Sequence, residues 1–220
     1  MNNCILVGSG EFNRDLFAKE ESSYLIAVDG GYDYLTQEPD ILLGDFDSIK
    51  EIPNKLDKKT EKISFPKKKD DSDMLLALNL AINKGFKNIR IYGGTGGKRV
   101  EHSIANFSIL GYASKKRIKI FLIGKDYTAT SISNGRLEFP KGYSGYISIF
   151  SLETETKGVN LKNLKYEGND LKLRSDYPLG LSNEFLPKKG SIEVGEGSLL
   201  VIWSNQNLPL PEIKFNKPNC

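Results

Sequence analysis

The sequence predicts an open, mostly parallel α/β sheet domain followed by an antiparallel β-sandwich domain. Two observations carry that expectation. Up to about residue 125, short apolar runs alternate with helical patterns; beyond it, short strands recur without helices and are punctuated by glycine and asparagine. The 220 residues, 39% of them hydrophobic, hold enough apolar mass for two modest cores.

In the first half, 3–7, 24–28, 40–43, 62–65, 88–92 and 118–123 are β-branched or leucine-rich runs bounded by turn residues, so they read as strands. Two helices lie between the last three. The stretch 72–84 is apolar on nearly every side, through Met74, Leu75, Leu76, Leu78, Leu80 and Ile82, and stops at Gly85, a residue suited to a helix end. The stretch 100–114 is followed by Lys115-Lys116-Arg117, cations that suit the negative end of a helix dipole. Strand–helix–strand repetition implies parallel strands with helices on both faces.

In the second half, 128–132, 146–152, 157–159, 164–167, 171–173, 191–194 and 198–203 read as short strands, with turns at Gly142, Gly145, Gly158, Gly168-Asn169, Gly190 and Gly195. Trp203 lies in an apolar strand and reads as core rather than as a stacking platform. Pro209, Pro211 and Pro218 mark 205–220 as an extended, trailing tail. The expected division is therefore 1–125, 126–204 and the tail.

Composition excludes several classes of function. Lys plus Arg total 31 against 28 Asp plus Glu, a net charge of +3, which lacks the basic excess of a nucleic-acid or membrane-surface protein. The longest apolar run, 74–82, is far short of a membrane span, and the N-terminus does not read as a secretory signal. Cys4 and Cys220 form neither a metal spacing nor a disulfide framework, which favours a reducing, cytoplasmic setting. With His102 as the single histidine, a His-rich zinc site is excluded and any Ser-His-Asp triad would have to use that ring. His102 falls inside the helix 100–114, where a structural and a functional role both stay open. The chemistry is left to carboxylates, cations and backbone donors.

Four clusters follow the expected strands: Asp29-Gly30-Gly31, Gly44-Asp45-Phe46-Asp47-Ser48, Lys69-Asp70-Asp71-Ser72-Asp73 and Gly93-Gly94-Thr95-Gly96-Gly97. Taken singly, each has an ordinary explanation. Aspartates at strand ends form turns, acids before a helix cap it, a glycine loop outside the Walker pattern is a weak phosphate signal, and Lys67-Lys68-Lys69 reads as a solvated run. Together they say more, because the carboxyl ends of parallel strands form one crevice. Two like charges about 4 Å apart repel by about 4 kcal/mol at an effective dielectric of about 20, so converging carboxylates need compensation. A hard divalent cation such as Mg²⁺ supplies it and commonly shares its oxygen ligands with substrate phosphates. The glycine loop, with Lys98 and Arg99 beside it, suits those phosphates. The residues converge on Mg²⁺–nucleotide chemistry.

In order and type, these motifs resemble the thiamine pyrophosphokinase family: Asp-Gly-Gly, Gly-Asp-Phe-Asp-Ser, Lys-Asp-x-Ser-Asp, the glycine loop with a following Arg-x-acid-His, and a late Ser-Asn-Glu-Phe spanning from Asp29 to Phe185. Gly44 to Ser48 is the most specific of them. The resemblance implies a homodimer of two-domain chains that moves a diphosphate from ATP to the thiamine hydroxyl and releases AMP. It implies Mg²⁺ at Asp45, Asp47 and Asp73. Asp29, Gly30, Lys69, Gly94, Thr95, Gly96, Gly97 and Arg99 would frame the nucleotide, and Asp70, Asp73 and Arg99 would act in catalysis. Ser182, Asn183 and Glu101 would face thiamine, in a pocket completed across the dimer.

The chain departs from the family pattern at Gly97-Lys98-Arg99-Val100-Glu101-His102, where one residue is inserted and Glu replaces Asp, and at Ser72, where Thr is usual. Two other readings stand beside this one: a diphosphokinase of the same fold acting on another alcohol, such as a hydroxymethylpterin, and a non-catalytic nucleotide or thiamine sensor. RNA binding through 67–69 and 115–117 lacks both a basic excess and an aromatic-stacking motif.

Overall fold

The computed structural model describes residues 3–18, 23–46, 59–66 and 70–217. The chain forms two compact units, Met1–Asn106 with Ile120–Lys125, and Phe107–Lys119 with Asp126–Cys220. Along the chain, 107–119 group with the second unit and 120–125 with the first.

The first unit contains β1 (Asn3–Val7), α1 (Arg14–Phe17), β2 (Tyr24–Val28), β3 (Ile41–Gly44), β4 (Glu61–Ser64), α2 (Asp73–Asn83), β5 (Asn88–Tyr92) and most of β6 (Lys119–Ile123). Its strand order is β6-β5-β1-β2-β3-β4, and the pairs β5/β1, β1/β2, β2/β3 and β3/β4 are parallel. Residues 4–7, 25–28 and 41–44 are buried without alternation, the pattern of central strands covered on both faces. β4 is half-buried or exposed throughout, as befits an edge. Successive strands run outward from β1 to β4, and the chain then returns to place β5 on the other side of β1. The strand order thus reverses between β1 and β5, where open α/β sheets take their ligands.

Ser72 caps α2, its Oγ accepting the Leu75 amide at 3.3 Å. The helix packs on β1, β2 and β3 and buries Met74, Ala77, Leu78 and Ala81, at the three- and four-residue spacing of one helical face. The third helix, α3 (Val100–Lys115), runs through both units.

The second unit is the sandwich. Its frame is two long antiparallel strands, β7 (Tyr127–Phe139) and β12 (Gly190–Ser204). Between the partner pairs Val194/Gly135 and Ser198/Ser133, three residues of β12 stand against Asn134 alone. A bulge of this kind bends a strand and increases its local twist. On one side of it, β9 (Glu155–Lys162) pairs with β12, β10 (Gly168–Arg174) with β9, and β13 (Glu212–Phe215) with β7. On the other, β8 (Tyr146–Ser151) pairs with β12 and β11 (Asn183–Glu184) with β8. The core holds a ring cluster in which Phe139 meets Tyr143, Phe185 and Trp203 with centroids 5.1, 4.9 and 5.2 Å away. Trp203 is 2% exposed.

Three local expectations differ. The runs 191–194 and 198–203 are one strand through the bulge. Residues 164–167 make only a single antiparallel bridge, Leu164 to Phe185, and then bend: Asn163 has φ of 59°, its amide donates to Glu167 Oε1 at 2.7 Å, and the Asn183 side chain holds both main-chain groups of Tyr166. Part of the expected trailing segment is β13, which pairs along β7 and buries Ile213. Among the described residues, no helix is long and apolar enough to cross a membrane.

Candidate active site

A crevice of about 490 Å³ opens in the first unit at the carboxyl ends of β1, β2, β3 and β5. Two glycine loops build its floor. Gly8-Ser9-Gly10 follows β1, and 93–97 follows β5. Their backbones are bonded together: the Gly8 amide donates to the Tyr92 carbonyl at 2.8 Å, Gly10 to Gly93 at 2.8 Å and Glu11 to Thr95 at 2.7 Å. Any side chain would part them, since a β-carbon on Gly10 would lie 2.3 Å from the Thr95 oxygen. Gly94, Thr95, Gly96 and Gly97 all line the crevice.

The acidic wall comes from β2, β3 and α2. Asp29, Asp45 and Asp73 all line it. Asp29 opens the 3-10 turn Asp29–Tyr34 in the left-handed region, at φ of 46°. Its Oδ1 accepts the amides of Asp45 at 3.0 Å and Phe46 at 3.3 Å. Burial is the first cause that raises its pKa, and the Asp73 charge the second. A hydrogen bond shared with Asp73 and the Asp45 charge push the same way, the Phe46 amide opposes them, and the carboxyl rises to about 6. Like charges therefore do converge here.

That donor set, all carboxylate oxygen, fits a hard divalent cation. Among the described residues, no three acidic, histidine or cysteine side chains make a ready-built metal cage. A cation that takes only one or two protein carboxylates and fills its remaining positions with phosphate oxygen and water needs none.

The third wall is α3. Arg99, just before the helix, and His102, Ala105 and Asn106 on it line the crevice, with His102 an exposed ring. Arg99 Nε bonds Glu101 Oε1 at 2.7 Å, and this hydrogen bond holds the exposed Glu101 carboxyl below its ordinary range.

The other expected site residues stand apart from the crevice or outside the described residues. Asp47 and Lys69 lie outside the described residues, as do Lys67 and Lys68. Asp70 is exposed just before α2 and does not line the crevice, nor does Glu101. Gly30 is buried in the 3-10 turn. Its neighbour Gly31 passes so close to the end of β1 that a β-carbon would lie 1.9 Å from the Val7 oxygen, so Asp-Gly-Gly is a packing motif as much as a ligand motif. Ser182 and Asn183 belong to the second unit. Ser182 is exposed at φ of 58°, and its amide donates to Ser148 Oγ at 3.1 Å. Asn183 is 7% exposed, its amide engaged with Tyr166.

Sequence reasoning missed Gly8, Ser9, Gly10 and Asn106. The first three had a signal, a Gly-x-Gly directly after the first strand of a parallel sheet. Asn106 had none, because a polar residue inside a helix shows its partner only once the loop is in place.

Family models for "Thiamin pyrophosphokinase, catalytic domain" and "Thiamin pyrophosphokinase, vitamin B1 binding domain" match residues 17–122 and 136–199. Thiamine pyrophosphokinase of Bacillus subtilis is 30% identical over 191 residues, covering 84% of this chain and 89% of that one. The crystal structure of the thiamine pyrophosphokinase from Bacillus subtilis superposes with a TM-score of 0.78 at 28% identity, over 93% of this chain and 99% of that chain. The Geobacillus thermodenitrificans enzyme has the same fold, with a TM-score of 0.78 at 24% identity over 93% and 98% of the two chains. On this evidence the chain belongs to the thiamine pyrophosphokinase family.

Proposed function

We propose that this enzyme transfers a diphosphate group from ATP to the hydroxyl of thiamine, giving thiamine diphosphate and AMP, in the crevice of its first unit. The observation that carries the reading is the meeting of Asp29, Asp45 and Asp73 with two glycine-rich loops in one cavity. Carboxylates alone would repel a triphosphate, and glycine loops alone would serve many ligands. Their combination suits a nucleotide carried with a divalent cation.

Asp45 and Asp73 would hold Mg²⁺, with Asp47 the third residue assigned by resemblance. When bound, that ion offsets the charge that builds up on phosphate oxygen during transfer. The residues of the chain bind and orient. Glycines at 93–97 let the backbone approach the phosphates, and Arg99 supplies a fixed positive charge at the mouth. The thiamine oxygen forms a bond to the β-phosphorus while the bond from that phosphorus to the α–β bridging oxygen breaks, and AMP leaves with that oxygen. The hydroxyl proton passes to a carboxylate. Of the two considered, Asp70 and Asp73, Asp73 stands on the wall and receives the role. Such transfers need positioning and charge stabilisation rather than a protein nucleophile. Thiamine recognition falls to Ser182, Asn183 and Glu101, and the working form is a cytoplasmic homodimer with shared sites.

The test incubates purified protein with Mg·ATP and either thiamine or a hydroxymethylpterin. AMP and thiamine diphosphate in equal amounts are expected. ADP with thiamine monophosphate, or AMP only with the pterin, would overturn the reading. A fully active monomer in sedimentation at assay concentration would remove the dimer.

A further inference from the structure

The glycine loop after β5 is gripped on both sides, and three consecutive carbonyls are spent in the grip. Gly93 accepts from the Gly10 amide at 2.8 Å and Thr95 from the Glu11 amide at 2.7 Å. Between them, Gly94 accepts from Asn106 Nδ2 at 2.5 Å. The outer two donors are main-chain groups; the middle one depends on a side chain. One step along, the Gly96 amide donates to Ser103 Oγ at 3.3 Å. Ser103 and Asn106 stand three residues apart on α3, neighbours on one helical face.

In a planar trans peptide, the carbonyl oxygen and the following N–H point to opposite edges. Holding the Gly94 oxygen against α3 therefore fixes the Thr95 amide on the other edge, toward Glu11, its partner in an isolated antiparallel bridge. A flip of that peptide turns ψ of Gly94 and φ of Thr95, and glycine at 94 leaves the first of these unhindered. A flip would turn that amide away from Glu11, open the bridge and shift the loop that faces the phosphates. Asn106 is 7% exposed and α3 orients it, so its grip on the carbonyl is shielded from competing water.

We propose that Asn106 is a positioning residue for the nucleotide: it locks the peptide between Gly94 and Thr95, and with it the course of the glycine loop that faces the phosphates, with Ser103 as a second tether. This rests on reading the crevice as the triphosphate site. Asn106 acts through the loop and need not touch ATP.

The test compares wild type, Asn106→Asp and Ser103→Ala. Asn106→Asp keeps the shape but replaces two N–H donors with a carboxylate beside the Gly94 oxygen. Mg·ATP affinity is measured by calorimetry and thiamine KM by AMP formation, on variants shown to be folded by circular dichroism. The ATP dissociation constant should rise about tenfold or more in Asn106→Asp, and about threefold in Ser103→Ala, while thiamine KM stays within about twofold. ATP binding within about twofold of wild type in the folded variants overturns the proposal. So does an equal loss for ATP and thiamine, which marks a general structural role. If Asn106→Asp does not fold, Ser103→Ala decides alone, because its bond is solvent-exposed and its loss is cheap. Failure of wild type itself to bind Mg·ATP is a separate result that removes the nucleotide reading and this inference with it.

Discussion

Asp29 Oδ1 fills the place of the β-carbon that Gly44 lacks: a methyl group built on Gly44 would lie 1.7 Å from that oxygen. Because the same oxygen takes the amides of Asp45 and Phe46, the loop after β3 closes around the carboxylate and holds Phe46 at φ of 65°. Gly44 itself sits at φ of 148°, where only glycine is at ease.

Gly44→Ala should therefore do double damage, through the clash and through the backbone. The expected loss is about 2–4 kcal/mol of stability, together with most of the activity, because Asp45 is displaced. Denaturant unfolding and AMP formation check it; wild-type stability would show that Asp29 can swing aside at no cost.

Asp29 also sets a pH dependence. Its carboxyl rises from the ordinary value of 3.8 to about 6, chiefly by burial and then by the Asp73 charge. A raised carboxyl means that the folded state binds the proton more tightly than the unfolded state does. Its contribution is full below about pH 4 and is lost as pH rises through about 6. In EDTA, the melting temperature should carry a component that falls across this window, and Asp29→Asn should abolish that component. A melting profile unchanged by the substitution would refute the assignment.

Asp73 tests metal binding against helix capping. As the first residue of α2 it gains about 0.3–1 kcal/mol from the helix dipole, and Asp73→Asn gives that up while relieving repulsion with Asp29. Metal-free stability should hardly change. Turnover should fall by orders of magnitude, and Mg·ATP should no longer raise the melting temperature. Near-normal turnover would assign Asp73 to capping alone.

A fourth prediction concerns the sandwich. Ser114 Oγ lies 3.0 Å from Ser131 Oγ and 2.7 Å from Ser133 Oγ, and Ser133 lies 2.6 Å from Ser198. Ser198 donates to Glu153, which pairs with Lys115 at the surface. Ser133→Ala removes the middle of this buried chain and leaves two hydroxyls short of a partner. It should cost about 1–3 kcal/mol in denaturant unfolding and leave turnover per folded molecule unaltered. A neutral result would mean that the remaining hydroxyls re-pair.

Local chemistry alone settled much of this protein. β1, β2 and β5 begin and end where the sequence predicts, because central parallel strands are buried on both faces and so appear as unbroken apolar runs cut off by turn residues. Ser72 and Gly85 bound α2 for equally local reasons, a hydroxyl that caps and a residue that lets the chain turn away. The ordered acidic and glycine motifs were legible too, and they carried the family. What depends on pairing across the chain was not legible. β12 broke into two expected strands because Gly195-Glu196-Gly197 interrupts its apolar pattern, and only the register with β7 makes that interruption a bulge. The tail became β13 because β7 offers it an unpaired edge at residues 135–138. Asp29 looked like a ligand at a strand end, and only the approach of Gly44 shows the carboxylate serving as the core of a loop. Asn106 was invisible for the same reason. Propensity and burial act within a few residues, whereas the reversal of strand order between β1 and β5, which brings Gly10, Gly93 and α3 to one crevice, is a property of the assembled sheet.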